Sequence, residues 1–229
     1  AMRYGSQSIP SQLDALKAEG VTRVLLLPAY PQYSATTTAS LFDAVYLWAA
    51  ATRAIPELRF INHYHDHPAY ISALATSVQT DVDALDWEPD VIVTSYHGVP
   101  ERYLTGKGDP YHCQCMKTTR LLREALGWEK GAIDVSFQSV FGREVWLKPY
   151  TVEHVAELAK AGKKRIAVMA PAFSADCIET LEEIQGEICE AFMHAGGESF
   201  TYIPCLNDQP AHIVALSGII RENLGGWLA

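Results

Sequence analysis

The sequence lacks any apolar run of the roughly 18 residues needed to span a bilayer; its longest apolar stretches are strand-sized, such as residues 21–27. The opening residues, Ala1-Met2-Arg3-Tyr4-Gly5, carry no apolar signal segment. A cytoplasmic protein is the expectation, with a peripheral membrane contact and the oligomeric state left open. Basic residues are in deficit: 18 Lys and Arg stand against 27 Asp and Glu, for a net charge of −9. Such a surface cannot neutralise a run of phosphates, which argues against nucleic acid as a partner, but it leaves room for a cationic ligand such as a metal ion. Cysteine is sparse: five residues, at 113, 115, 177, 189 and 205, odd in number and widely scattered. That is no disulfide framework, and reduced thiols are expected. Low-complexity linkers and short-period repeats are missing too.

What is present is ordinary globular composition, 48% hydrophobic and 20% charged over 229 residues, enough for one large α/β domain or two small ones. Short apolar runs alternate with amphipathic stretches. Strands are expected at residues 21–27, 90–95, 133–138, 165–169 and 199–203, and helices at 9–19, 70–85, 118–126, 152–161, 176–195 and 206–224. Continuous apolar strands separated by helices indicate parallel sheet covered on both faces. In such folds ligands bind beyond the carboxyl ends of the strands. The loops there contain Tyr30, His97 and Phe173.

His97 follows the apolar run 90–95 and precedes Gly98 and Pro100. A neutral imidazole at a strand's end can act as base or metal ligand, or be a satisfied structural residue. Glu179, Glu183 and Glu187 recur every fourth residue, near one line of a helix, apart from the apolar stripe Leu181, Ile184, Ile188, Phe192. They form either a solvated acidic face or a carboxylate ladder carrying a cation or protons toward the helix start. Asp176 with Glu179 also fits a capping box. His63-Tyr64-His65-Asp66-His67 puts imidazoles at alternate positions, but Pro68 suggests a strand end running into a helix start, so a structural or surface role is expected. Cys113-Gln114-Cys115 is too little for an iron–sulfur cluster, which takes four ligands, and none is expected.

Taken in order, residues 27–38 (LPAYPQYSATTT), 95–103 (SYHGVPERY), 108–111 (GDPY), 137–147 (FQSVFGREVWL) and 171–183 (PAFSADCIETLEE) resemble ferrochelatases across essentially the whole chain. The resemblance implies two Rossmann-like lobes with parallel sheets and a porphyrin between them. Residues 1–75 would be the remainder of the N-terminal lobe, with helix 206–229 packing back on it, and 76–205 the C-terminal lobe. It implies His97 and Glu179 as catalytic residues and metal contacts, Glu183 and Glu187 as further metal contacts, and Arg3, Tyr4, Tyr30, Trp146 and Phe173 as porphyrin contacts. Cys177 stands where some relatives carry a second histidine. Relatives normally carry a segment before the residues matching Arg3-Tyr4, so the first lobe is expected to be incomplete, through fragmentation or loss. The implied reaction is insertion of Fe2+, as substrate, into protoporphyrin IX, with no cofactor required. Two other readings stay open: a related chelatase acting on coproporphyrin or sirohydrochlorin with iron or cobalt, and a truncated porphyrin-binding protein without catalysis.

Overall fold

The computed structural model describes residues 1–228 and contains two parallel sheets. The smaller pairs β1 (Arg23–Leu26) with β2 (Glu57–Phe60), in register from Arg23 opposite Glu57 to Leu26 opposite Phe60. Helix α1 (Ile9–Ala18) leads into β1, its start capped by the Ser8 hydroxyl, which accepts the Ser11 N–H, with Pro10 in the first turn. Between the strands run a short π-helical turn, Ala35–Ala39, and α2 (Ser40–Ala51). Alternate residues of β1 face opposite ways. Val24 and Leu26 pack with Leu58 and Phe60 against Ile9, Leu13, Val45 and Trp48 of α1 and α2. Leu25 and Leu27 pack against the core of the larger sheet.

That sheet is four-stranded, in the order β4-β3-β5-β6, all parallel, built from β3 (Val91–His97), β4 (Ile133–Gln138), β5 (Arg165–Met169) and β6 (Ser199–Ile203). Residues Val91 to Tyr96 of β3 are all buried, as a central strand covered on both faces must be. One face is covered by α3 (Pro68–Asp83), α5 (Tyr111–Leu126) and α8 (Pro210–Asn223), through Leu74, Val78, Leu122 and Ile219. The other is covered by α6 (Thr151–Lys160), a π-helix (Glu179–Ile188) and α7 (Cys189–His194), through Val155, Ile184, Ile188 and Phe192. A short helix, α4 (Glu101–Lys107), follows β3.

Three features depart from the sequence reading. The pattern gives no sign of β2: with Glu57 and Arg59 among four residues, it looks like surface. Its charges have work to do, since the Arg59 guanidinium donates to the carbonyls of Asn223 (2.9 Å) and Gly225 (2.8 Å) and lies 4.1 Å over the Trp227 ring. These contacts bring the end of α8 onto the smaller sheet. A lobe boundary at 75/76 falls inside α3, which packs as a unit on the four-stranded sheet and α8; the helix as a whole therefore goes with the larger lobe. The helix expected across 176–195 starts at Glu179 and is wound as a π-helix for ten residues before becoming α-helical. π-Helical turns are rare and concentrate at functional sites. Among the described residues, no helix is long and apolar enough to cross a membrane.

The turn between α7 and β6 gives a sharp packing test. A Cβ on Gly197 would lie 2.2 Å from Cε1 of Phe192, a ring with no exposed surface. Gly197→Ala is expected to cost about 1–3 kcal/mol or more by overpacking. Gly186→Ala in the π-helix, where an added Cβ meets nothing within 4 Å, should be neutral or slightly stabilising. Urea unfolding of both variants checks the contrast.

Candidate active site

β3 runs to His97, two residues beyond the expected strand, and delivers this side chain to the carboxyl edge of the sheet. Its Nδ1 lies 2.8 Å from the Gly98 carbonyl oxygen. A carbonyl only accepts, so Nδ1 carries the proton and Nε2 is left with a lone pair. The Phe173 ring, on the loop after β5, stands 6.4 Å from the imidazole, centroid to centroid. Gly98 has no room for a side chain: a Cβ would meet the Gln138 carbonyl at 3.0 Å and Trp146 Cε3 at 3.1 Å. Trp146 is thus packed against Gly98, the residue after the histidine. It is only 5% exposed, and the ring against it, Phe141 at 4.8 Å, is 70% exposed. Trp146, expected as a porphyrin contact, is thus buried in this structure, and Phe141 is the aromatic presented outward.

Glu179 opens the π-helix. The turn before it is held by Asp176, whose carboxylate accepts from Tyr202 Oη (2.7 Å), Asn207 Nδ2 (2.7 Å), Thr180 Oγ1 (3.1 Å) and the Cys205 N–H (3.2 Å). The Thr180 hydroxyl in turn accepts the Cys177 N–H at 3.0 Å. Thr180 therefore takes the place that a capping box would have given Glu179. A hydrogen bond from the Cys177 thiol, then its own backbone N–H, hold the Glu179 carboxyl below the ordinary range against some burial, and the charge of a protonated His97 adds to this. Glu179 is thus an anion at neutral pH, within electrostatic reach of His97. Cys177 is pushed up to about 11, first by burial and then by Glu179, and stays a neutral donor.

The rest of the ladder divides. Glu183 is fully engaged: Oε1 accepts the Ser139 N–H (2.6 Å), and Oε2 accepts Ser139 Oγ (2.6 Å) and Gln138 Nε2 (3.0 Å). Ser139 adopts a φ of +60°, rare for a residue with a Cβ, and Glu183 pins that turn. In this structure its carboxylate is committed to holding that turn. Glu187 is exposed on the same helix.

A cleft of about 830 Å³ opens between the smaller sheet and the loop after β5, lined by Arg3, Leu13, Tyr30, Phe173, Cys177 and Glu179 among others. Its size suits a large planar ligand. Tyr30 is 41% exposed. Arg3 is held by Ser40, its Nε donating to Oγ at 3.1 Å, and its guanidinium lies 4.9 Å over the Tyr4 ring. Tyr4 itself is 76% exposed and outside the cleft lining. His97 lies beyond Phe173 and is not part of that lining either.

Sequence reasoning passed over the residues that hold these parts in place. Gln138, 2% exposed at the end of β4, accepts from Ser95 Oγ (2.6 Å) and donates to the Glu179 carbonyl (2.7 Å) and to Glu183. It joins the end of the sheet to the start of the π-helix. Asp109, 7% exposed, accepts from Ser34 Oγ, the Ala35 N–H and the Tyr111 N–H, at 3.0, 2.7 and 3.0 Å. Gln32 donates to Thr118 Oγ1 (3.2 Å) and the Pro171 carbonyl (3.4 Å). The available signal was a polar residue among apolar and aromatic ones at a strand end, Phe137-Gln138-Ser139, or in the loop beyond one, Pro31-Gln32-Tyr33. The histidine cluster lies in the loop between the end of β2 and α3, so only the helix start matches the expectation: His67 caps α3, its Nδ1 accepting the Ala69 N–H at 3.3 Å, and its Nε2 faces Glu222 at 3.1 Å. Cys113 is exposed and Cys115 buried, both on α5.

Comparison with known proteins accords with this geometry. The ferrochelatase family model matches residues 1–224. The chain is 58% identical over 227 residues to a ferrochelatase of Rhodobacter capsulatus, covering 99% of this chain and 64% of that one. A ferrochelatase of Methylibium petroleiphilum is 56% identical over 227 residues, with 62% of its length covered. The chain thus spans somewhat under two thirds of the length of these relatives. Among solved structures, SirB from Bacillus subtilis with Fe3+ superposes with a TM-score of 0.68 at 15% identity, covering 96% of this chain and 78% of that one. That likeness bears on the fold alone. With a family match running from the first residue to the last turns of the chain, and a parallel α/β architecture to go with it, this protein belongs to the ferrochelatase family.

Proposed function

We propose that this chain inserts Fe2+ into protoporphyrin IX, releasing two pyrrole protons and forming protohaem, the last step of haem biosynthesis. The observation that carries the reading is the pairing of a histidine whose Nε2 lone pair is left free by the Nδ1–Gly98 hydrogen bond with an anionic Glu179 within electrostatic reach.

Metallation has two demands. Two N–H protons must leave, and the metal must reach nitrogens hidden in a flat ring. A base with a free lone pair meets the first: His97 accepts a pyrrole proton at Nε2. Holding the macrocycle bent out of plane meets the second, because it turns nitrogen lone pairs toward one face. Tyr30 and Phe173 supply flat apolar contacts, and Arg3 supplies a cation for an acidic ring substituent. Glu179 stabilises the imidazolium formed at His97 and, with it, presents ligand types that suit Fe2+. Glu187 passes protons or a cation between this pair and solvent, and Glu183 keeps the helix docked. The reading requires no resident cofactor and places the protein in the cytoplasm.

A matrix of metals against tetrapyrroles tests the assignment. Protoporphyrin IX with Fe2+ is expected to be turned over, and sirohydrochlorin with Co2+ or Fe2+ is not. Preference for sirohydrochlorin would overturn the substrate assignment, and porphyrin binding without metallation by any metal would overturn the reaction.

A further inference from the structure

The histidine cluster before α3 is left unused by this chemistry, and one member of it is anomalous. His65 is 4% exposed, and its Nδ1 has no hydrogen-bond partner. Leaving such an atom buried and unpaired is costly. Asp66 Oδ1 stands 3.8 Å away, too far for a hydrogen bond. The exposed His63 ring stands 4.9 Å away, centroid to centroid, at a steep angle. The ligand atoms of His63, His65 and Asp66 all lie within 4.8 Å of one another. We propose that these three side chains form a second metal site, outside the cleft, for a divalent transition-metal ion of borderline softness.

The gap between His65 and Asp66 is the right size. Two metal bonds of about 2.0–2.2 Å bridge 3.8 Å with a modest bend at the ion. The exposed His63 is free to turn in as the third ligand, leaving a fourth position for water. Two imidazoles and one carboxylate select Zn2+, Co2+ or Fe2+ over Mg2+ and Ca2+, which prefer all-oxygen shells. The buried imidazole is neutral at pH 7, as a ligand must be, because burial pulls its pKa down to about 4. Lys117 opposes the ion by charge, but its Nζ holds the other carboxylate oxygen, Asp66 Oδ2, at 2.6 Å and leaves Oδ1 turned to His65.

The loop is well fixed to receive an ion. The His65 carbonyl accepts Thr118 Oγ1 at 2.9 Å, and Thr118 is tied through Gln32 to the Pro171 carbonyl beside the cleft loop. None of the three ligands lines the cleft, so the site stands or falls independently of the porphyrin chemistry.

Co2+ titration followed by visible absorption tests it, with Glu179→Gln weakening the contribution of the cleft. One Co2+ is expected to remain bound in Glu179→Gln and to be displaced by Zn2+. His63→Ala in that background should weaken it at least tenfold, and Asp66→Asn should do the same. Zn2+ should raise the melting temperature of the Glu179→Gln chain, by stabilising the folded form it binds, and lose that effect when His63 is replaced. Unchanged Co2+ affinity in both His63→Ala and Asp66→Asn would overturn the site, as would the absence of any bound Co2+ in Glu179→Gln.

Discussion

His97→Ala is expected to lower the rate of Fe2+ insertion by about 10²–10⁴, the usual loss on removing a general base, while protoporphyrin still binds. The imidazole at the end of β3 keeps a lone pair free of its own hydrogen bonding, so its removal takes away the acceptor for the pyrrole protons. The cleft walls, Tyr30 and Phe173, are on other loops and survive the change. Glu187→Ala makes a useful contrast. That carboxylate is exposed and two turns further along the helix, so its loss should be smaller and appear mainly in the dependence on Fe2+ concentration. Fluorescence titration with the porphyrin and initial rates against Fe2+ separate the two effects. Loss of porphyrin affinity in His97→Ala with an unchanged rate at saturation would reverse the assignment.

The second large effect is expected at a residue that touches no substrate. Gln138 holds the Glu179 carbonyl at 2.7 Å, Glu183 at 3.0 Å and Ser95 Oγ at 2.6 Å from a site with almost no exposure. Gln138→Leu strands these groups, at a cost of about 2–4 kcal/mol for a broken buried network, and frees the start of the π-helix to shift. A displacement on the order of 1 Å at a reacting group can cost about 100-fold in rate. A positioning role predicts that kcat falls while the porphyrin dissociation constant barely moves. Gln138→Glu discriminates further. It keeps the shape and the acceptor for Ser95 but replaces the donating amide with a carboxylate facing Glu183, so it should be no better than leucine. Wild-type kcat in Gln138→Glu would show that the amide donor is not what positions Glu179.

The sequence could be read where its physics is local. The run 165–169 is apolar enough to demand burial on two faces, and a strand falls on those residues; the strand expected at 199–203 is also present, half-buried at the sheet edge. β2 was invisible because only two of its four residues, Leu58 and Phe60, are apolar, and its existence depends on pairing with β1 and on Arg59 reaching the end of α8. The π-winding of Glu179–Ile188 was hidden for a related reason: apolar spacing cannot distinguish hydrogen bonds to the fourth residue back from those to the fifth. At the site, His97 stood out by its place after a buried strand. At Glu183, spacing places a carboxylate on a helix face but does not reveal that Ser139 and Gln138 stand opposite it. Trp146 is a similar case, since an aromatic in a loop is equally suited to line a cleft or to fill the space that Gly98 leaves.

The most direct measurement is a single turnover. The preformed complex of this chain with protoporphyrin IX is mixed anaerobically with Fe2+, and the fluorescence of the free-base ring is followed with time. The account predicts complete quenching with the spectrum of protohaem, at a rate that His97→Ala reduces by about 10²–10⁴. A complex that keeps its free-base fluorescence in the presence of Fe2+, or one that is quenched equally fast without His97, would contradict it.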